Sequence, residues 1–200
     1  MSNRMSLVES LEVLAGLRRD EVVVSSMGTA REWMKLSQHP LDFVHVPSSM
    51  GQSCSLGLGM ALAQPNRKVL VYNGDGSLLM NLGALVTITA ETPDNFVLLV
   101  FDNEVYEVTG AQATAGVPRS RRDLTVIDLA AVARSCGFRS VFEFNDIARW
   151  RADAASVLQM RGPVFVHLKV APIPGAVGPR SPGPAPPRAM AFREALCGGK

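Results

Sequence analysis

The stretch Asn73-Gly74-Asp75-Gly76-Ser77 places a carboxylate between two glycines, where an apolar run ends and a helical pattern begins. Glycine has no Cβ and lets the backbone approach a ligand closely. The first turn of a helix presents unpaired N–H groups that bind anions. A carboxylate there repels an anion unless a cation lies between them, and Mg²⁺ binds carboxylate and phosphate oxygens together. The stretch therefore predicts a phosphate site bridged by a metal ion.

A second polar end follows the next apolar run of the chain. The run Phe96–Phe101 is followed within two residues by Asn103. If the two runs form neighbouring parallel strands, Asp75 and Asn103 emerge at the same edge, where open α/β sheets bind ligands. These two side chains and two phosphate oxygens would supply most of an octahedral Mg²⁺ shell. The N–H groups of Gly76 and Ser77 could then bind the remaining phosphate charge.

These groups need a sheet to bring them together, and the chain alternates between strand-like and helix-like segments. Strand patterns lie at 22–26, 43–46, 69–73, 96–102, 140–144 and 164–170. Helical patterns lie at 5–18, 29–36, 51–63, 77–92, 126–136 and 146–160. Such alternation, with continuous apolar strands, is typical of a parallel sheet covered on both faces. We predict an α/β fold: a three-layer α/β/α domain with a mostly parallel six-stranded sheet over residues 1–170.

The remaining residues, 171–200, form a Pro-rich C-terminal arm in this prediction. Seven of the thirteen prolines lie between 171 and 188, which favours an extended segment. A short helix is predicted over 189–196. Residues 110–123, rich in small and basic side chains, are predicted to form a loop.

Composition excludes several function classes. Hydrophobic residues make up 47% and charged residues 19% of the chain, which is typical of a globular protein. A net charge of +2 and an aromatic content of 6% argue against nucleic-acid binding. Cys54, Cys136 and Cys197 are odd in number and far apart, which argues against a disulfide framework. Without a secretory leader or a membrane span in the pattern, we expect a cytoplasmic protein that binds neither membrane nor nucleic acid.

The spacing of these motifs resembles the binding signature of thiamine-diphosphate enzymes, in which an Asn at a strand end follows Gly-Asp-Gly by nearly thirty residues. The segments VVVSSMGTAREWM, SSMGQSCSLGLGMALA, DLAAVARSCGF and GPVFVHLKVAP extend the resemblance over nearly the whole chain. They are similar to the diphosphate-binding (beta) subunit of sulfopyruvate and phosphonopyruvate decarboxylases. The resemblance implies the thiamine-diphosphate-binding fold, the cofactors thiamine diphosphate and Mg²⁺, and lyase activity on a 2-oxo acid.

The resemblance also implies roles for single residues. Asp75 and Asn103 would hold the metal by their side chains, and Val105 by its carbonyl oxygen. Met50 would force the cofactor into its folded V shape, and the Ser48 carbonyl would accept a hydrogen bond from the pyrimidine amino group. The implied cofactor-binding set is Ser48, Ser49, Met50, Gly51, Gly74, Asp75, Gly76, Ser77, Asn103, Val105 and Tyr106. Ser48 and Glu107 stand where relatives commonly have Gly.

In the family, a Glu on a separate pyrimidine-binding domain activates the cofactor, and this chain is long enough for one domain only. The resemblance therefore implies a companion subunit in a hetero-oligomer such as α₂β₂, with a homodimer as the alternative. Catalytic residues of this chain stay unassigned. The candidates near the site are His45, Tyr106, Glu107, Thr109 and Gln112.

Several alternatives remain open from the sequence. The chain could belong to a carboligating, acetolactate-synthase-like enzyme, or be a non-catalytic cofactor-binding paralogue. The segment Arg119-Ser120-Arg121-Arg122 could attract an anionic substrate or lie solvated, and the 2-oxo acid is not readable from the residues. Gly57 and Gly59 each cost a helix about 1 kcal/mol relative to Ala. Close packing against the cofactor or a neighbouring chain would explain them.

Overall fold

A parallel sheet forms the centre of the molecule in a computed structural model, which describes residues 4–46, 50–117 and 127–198. The strands in the described residues are β1 (Met5–Ser6), β2 (Val22–Ser25), β3 (Asp42–Val44), β4 (Val69–Gly74), β5 (Phe96–Asp102), β6 (Val105–Tyr106), β7 (Gln112–Ala113), β8 (Ser140–Phe144) and β9 (Val164–Ala171). The sheet follows the order β3-β2-β4-β5-β9, and both β8 and β1 also pair with β9. Every pairing in this sheet is parallel, whereas β6 and β7 form a separate antiparallel hairpin.

The fold class predicted from the sequence is confirmed, and all six predicted strands are present. The sheet has one strand more than predicted, because Met5 and Ser6 pair with Val170 and Ala171 of β9 instead of beginning a helix. The Ser6 side chain then accepts a hydrogen bond from the N–H of Glu9, which caps the helix that follows.

Helices cover both faces of the sheet. None in the described ranges combines the length and apolar character needed to cross a membrane. Within those ranges the helices are α1 (Leu7–Leu17), α2 (Met27–Leu36), α3 (Ser53–Ala63), α4 (Asp75–Leu79), α5 (Gly83–Glu91), α6 (Leu129–Ser135), α7 (Ile147–Gln159) and α8 (Ala185–Cys197).

The single helix predicted over 77–92 is wrong, since two helices, α4 and α5, occupy this region. The chain leaves α4 near Asn81, whose side-chain Nδ2 donates to the Gly51 carbonyl at 2.9 Å. The N–H of Ala84 donates to the Asn81 carbonyl and starts α5. This interruption ties the segment after Asp75 to the start of α3.

Two apolar layers lie on opposite faces of the sheet, as continuous apolar strands require. In β4, Leu70 and Tyr72 face α1, α2 and α7, whereas Val69 and Val71 face α3, α4, α5 and α6. The large buried side chains of the first layer include Leu11, Trp33, Phe101 and Trp150. Those of the second include Leu58, Leu78, Ile88 and Phe165.

The two glycines of α3 have different surroundings. A Cβ on Gly57 would lie closer to Val71 Cγ2 than the 3.0 Å that real Cβ atoms keep, and 3.3 Å from Phe96 Cε2. A Cβ on Gly59 would meet nothing within 4 Å. Close packing of α3 on β4 therefore explains Gly57, and the expected contact with cofactor or another chain is not needed for it.

The C-terminal segment returns across the carboxyl edge of the sheet, from β9 to β3. Arg31 Nη1 donates to the Val177 carbonyl at 2.8 Å, and the Phe192 ring lies 5.0 Å from the Phe43 ring. The predicted helix start at residue 189 is wrong, because α8 already begins at Ala185. Prolines fit its first turn, where no N–H partner is required.

Candidate functional site

The carboxyl ends of β4 and β5, which are followed by Asp75 and Asn103, lie side by side. β4 and β5 are parallel neighbours, and Gly74 at the end of β4 is in register with Phe101 of β5. Asp75 begins α4 directly after β4, and Asn103 follows β5. Both side chains line the same pocket at the carboxyl edge of the sheet, where the sequence places them.

Most of the implied cofactor-binding set lines this pocket. The members that do so are Met50, Gly74, Asp75, Gly76, Ser77, Asn103, Val105 and Tyr106. Gly51 does not line it, but its N–H donates to Ser77 Oγ at 2.9 Å, with a φ of +88° that favours glycine. Ser48 and Ser49 lie outside the described residues.

The candidate catalytic residues divide into two groups. Tyr106, Glu107 and Thr109 line the pocket. Gln112 does not, because its side chain bonds to Thr109, with 2.9 Å between Thr109 Oγ1 and Gln112 Oε1. His45 is also absent from the lining; its ring lies beside Phe43, and burial lowers the pKa of this imidazole. The segment 119–122 lies outside the described residues.

A further chain segment, at the start of a different helix, also lines the pocket. It consists of Met27, Gly28 and Thr29 at the start of α2, directly after β2. Sequence reasoning did not place these three in the binding set. The signal was available, because Ser-Met-Gly-Thr joins an apolar strand to a helix just as Gly-Asp-Gly-Ser does. Two helix N-termini therefore reach one pocket, an arrangement that favours anions.

Asp75 is a buried carboxylate with no cationic partner in the described part of the chain. It is 3% exposed, and no Lys, Arg or His of the described residues pairs with it. Burial first, and then the charge of Asp102, raise the pKa of Asp75 to about 7, against hydrogen bonds from Gly76 N–H and Thr114 Oγ1. Such a group is stabilised in its ionised form by a cation.

The neighbouring carboxylate, Asp102, already has partners that stabilise its ionised form. Burial works to raise the pKa of Asp102, but a 2.7 Å hydrogen bond to His167 Nε2 and the charge of His167 bring it below its usual value. The N–H of Glu104 also donates to this carboxylate, at 3.0 Å. Of the two acidic side chains, Asp75 is therefore the one left to bind a metal ion.

The donor groups fit an ion that arrives with a phosphate. In the part of the chain that the structure describes, no cluster of three or more His, Cys, Asp or Glu side chains could hold a metal ion. The groups that line the pocket include the Asp75 carboxylate, the Asn103 amide and the Val105 carbonyl. Mg²⁺ is commonly bound in this way, by one or two protein groups together with phosphate oxygens and water.

Gly76, in the first turn of α4, occupies a position that has no room for a side chain. A Cβ on Gly76 would lie 2.6 Å from Tyr106 Cδ1 and 3.5 Å from Met50 Cε. Glycine at this position therefore lets the Tyr106 ring pack directly against the start of α4.

Comparison with known proteins agrees with this geometry. Residues 24–168 match the family model of the thiamine pyrophosphate enzyme, C-terminal TPP binding domain. The chain is 41% identical over 166 residues to the sulfopyruvate decarboxylase subunit beta of Methanothermobacter thermautotrophicus, covering 82% of each chain. It is 40% identical over 171 residues to the phosphonopyruvate decarboxylase of Streptomyces viridochromogenes, covering 84% of this chain but 41% of that one.

A solved structure shares the fold. The X-ray structure of a candidate thiamin diphosphate-dependent enzyme isolated from Mycobacterium smegmatis superposes on this chain with a TM-score of 0.69 at 21% sequence identity. The superposition covers 84% of this chain and 32% of that one. These matches confirm the resemblance that the Gly-Asp-Gly and Asn motifs indicated.

Proposed function

Since this chain belongs to the thiamine pyrophosphate enzymes through their C-terminal TPP binding domain, we propose that it is the thiamine-diphosphate- and Mg²⁺-binding subunit of a 2-oxo acid decarboxylase. The observation that carries the proposal is buried Asp75, which begins α4 at the pocket, has no cationic partner among the described residues, and shares the pocket with the start of α2. Relatives named sulfopyruvate and phosphonopyruvate decarboxylase support the reaction class and substrates of that type.

In this proposal, different residues of the pocket bind the metal ion, bind the diphosphate and support the rest of the cofactor. Asp75, Asn103 and the Val105 carbonyl would hold Mg²⁺. The N–H groups at the starts of α2 and α4 would bind the diphosphate, and Met50 would support the folded cofactor. When bound, thiamine diphosphate supplies the nucleophilic carbon that attacks a 2-oxo acid and takes up the electrons released as CO₂ leaves.

The apolar part of the pocket would exclude water from the reacting centre. Its lining includes Leu7, Phe101, Val108 and Val170. In this low-polarity surrounding, the interactions of a charged cofactor with the fixed backbone dipoles are stronger than in water. Tyr106 and Thr109 are the polar candidates for contact with substrate.

A companion subunit would complete the site. Glu107 is the glutamate of the pocket lining, and Arg31 pairs with it at 3.0 Å, so it is not free to activate the cofactor. The surface proposed for the partner is an uncharged face on α3, α5 and the turn between α4 and α5. It comprises Ser55, Gly59, Leu62, Met80, Gly83, Val86, Thr87 and Ala90, all exposed or partly exposed. Relatives named subunit beta support this hetero-oligomer.

The cofactor proposal is tested by calorimetric titration of the isolated chain with thiamine diphosphate, with and without Mg²⁺. Asp75→Asn keeps the shape of the side chain but removes its charge. We expect a loss of Mg²⁺-dependent affinity of at least about 100-fold, since even partners of metal ligands contribute 10–100-fold. Asp94→Asn, at an exposed carboxylate paired with Arg161, is the control and should bind as wild type. Equal binding by both variants would mean that the metal ligands are wrong.

The partner proposal is tested by turnover. The chain is purified with and without the product of a neighbouring gene, and a panel of 2-oxo acids is screened for CO₂ release. Aldehyde products indicate simple decarboxylation, whereas products in which two substrate molecules are joined indicate carboligation. We expect negligible turnover by the isolated chain and turnover with the partner. Robust turnover by the isolated chain would contradict the shared active site.

A further inference from the structure

Glu107 is a buried carboxylate with three partners at the edge of the pocket. Its side chain is 8% exposed and pairs with Arg31 Nη2 at 3.0 Å. Glu107 Oε1 accepts the N–H of Ile173 at 3.0 Å and Nδ2 of Asn103 at 3.3 Å. Burying an ion pair is costly, so a buried pair at this position calls for a reason beyond stability.

The contact of Glu107 with Asn103 helps to fix how that amide is oriented. An ionised carboxylate only accepts hydrogen bonds, so the NH₂ group of Asn103 must face Glu107. The other end of the amide, Oδ1, accepts the N–H of Val105 at 3.1 Å. A carbonyl oxygen has two lone pairs, and Oδ1 therefore keeps one for a metal ion. With the amide reversed, NH₂ would take that place and could not bind a cation.

Arg31 holds the orienting carboxylate in place. Its Nε donates to Glu32 at 2.6 Å and its Nη1 to the Val177 carbonyl at 2.8 Å, so the guanidinium is fixed without help from Glu107. Lys35 pairs with the second oxygen of Glu32, which keeps the cluster close to neutral. The Arg31 guanidinium is therefore already in position to pair with the Glu107 carboxylate.

We propose that Glu107, held by Arg31, is a positioning residue that keeps the oxygen of Asn103, and not its NH₂ group, available to Mg²⁺. This inference rests on the proposed function, because it takes Asn103 as a metal ligand. Glu107 does not touch the ion in this role. A Gln at position 107 can present either end of its own amide, so the Val105 N–H is then the remaining contact that favours this orientation of Asn103.

The test is the Mg²⁺ concentration that half-saturates thiamine diphosphate binding, followed by calorimetry or Trp fluorescence. For Glu107→Gln we expect this concentration to rise about 10–100-fold, the usual effect of losing a partner that orients a metal ligand. Cofactor affinity at saturating Mg²⁺ should change much less. Glu32→Gln is the matched control: it disturbs the same Arg31, is equally buried at 7%, and has no contact with Asn103. The half-saturating Mg²⁺ concentration of Glu32→Gln should match that of the wild type.

A double variant separates positioning from general damage. In the Asn103→Asp background both carboxylate oxygens can bind metal, so orientation no longer matters, and Glu107→Gln also removes a like charge. We expect Glu107→Gln to leave Mg²⁺ half-saturation unchanged or lower in that background. If the single variant does not fold, Arg31→Gln combined with Glu107→Gln removes both charges and gives the same comparison.

The outcomes distinguish this inference from the proposed function. Wild-type binding that depends on Mg²⁺, together with Glu107→Gln behaving like Glu32→Gln, overturns the positioning role and leaves the proposed function intact. The positioning role is also overturned if Glu107→Gln raises the half-saturating Mg²⁺ concentration equally with the native Asn103 and in the Asn103→Asp background. The orientation of the amide would then not be the cause of the rise. Wild-type protein that shows no Mg²⁺-dependent binding overturns both.

Discussion

The paired glycines of α3 offer a test of how this helix lies on the sheet. A Cβ on Gly57 would overlap Val71 Cγ2 and lie 3.3 Å from Phe96 Cε2, whereas a Cβ on Gly59 would lie in open space. Val71 and Phe96 are both 0% exposed and belong to the central strands β4 and β5, so neither can move away freely. The same substitution should therefore have opposite effects at two positions of one helix.

The magnitude follows from two opposing terms. Replacing Gly by Ala inside a helix stabilises it by about 1 kcal/mol at either position. Inserting a methyl group into a packed core costs about 1–3 kcal/mol. Gly59→Ala should therefore raise the free energy of unfolding by up to about 1 kcal/mol. Gly57→Ala should lower it by up to about 2 kcal/mol, and the two variants should differ by the packing term alone.

Thermal unfolding of the isolated chain, followed by circular dichroism, measures this difference. In a protein of this size 1 kcal/mol shifts Tm by about 2–4 °C, so Gly57→Ala should melt roughly 2–12 °C below Gly59→Ala. Because α3 begins just after Met50 and Gly51, Gly57→Ala should also weaken cofactor binding, and Gly59→Ala should not. Equal melting temperatures for the two variants would refute the close contact between α3 and β4.

Two further predictions concern the metal ion and the partner. The pKa of Asp75, raised by burial and by Asp102 to about 7, means that a proton competes with Mg²⁺ below this pH; apparent Mg²⁺ affinity should fall about tenfold from pH 8 to pH 6, and Asp75→Asn should lack this dependence in the same titration. Val86→Glu places a charge on the uncharged face, where Val86 is 56% exposed, and should abolish binding of the companion subunit in a pull-down without lowering Tm. Met190→Glu, similarly exposed on α8, is its control; loss of partner binding in both variants, or in neither, would place the interface elsewhere.

The strands and their polar ends could be predicted because their signals are local. Continuous apolar runs such as those of β4 and β5 are covered on both faces, and the residue after each run must lie at the sheet edge. Elements that depend on distant contacts could not be predicted. β1 forms because Met5 meets Val170, and the break between α4 and α5 forms because Asn81 bonds to the Gly51 carbonyl.

The same distinction holds for the site. Asp75 and Asn103 directly follow the strands β4 and β5, which fix their positions, and both line the pocket. The direction of a side chain in a longer connection is set by its neighbours in space, which the sequence does not show. His45 turns toward Phe43 and Gln112 toward Thr109, so neither reaches the pocket.

Glu107 shows how a departure from relatives can be reinterpreted once its surroundings are known. In sequence it stands where relatives commonly have Gly, which is one reason to consider a paralogue that has lost its chemistry. In the structure it joins Arg31, 76 residues away, to the amide of Asn103. A site that had lost its metal would gain little from a buried ion pair, because apolar residues of similar volume are often as stable or more so. The pair either holds the C-terminal segment, through the Ile173 N–H, or fixes the orientation of Asn103 as proposed, and the Mg²⁺ titration of Glu107→Gln separates these two reasons for its burial.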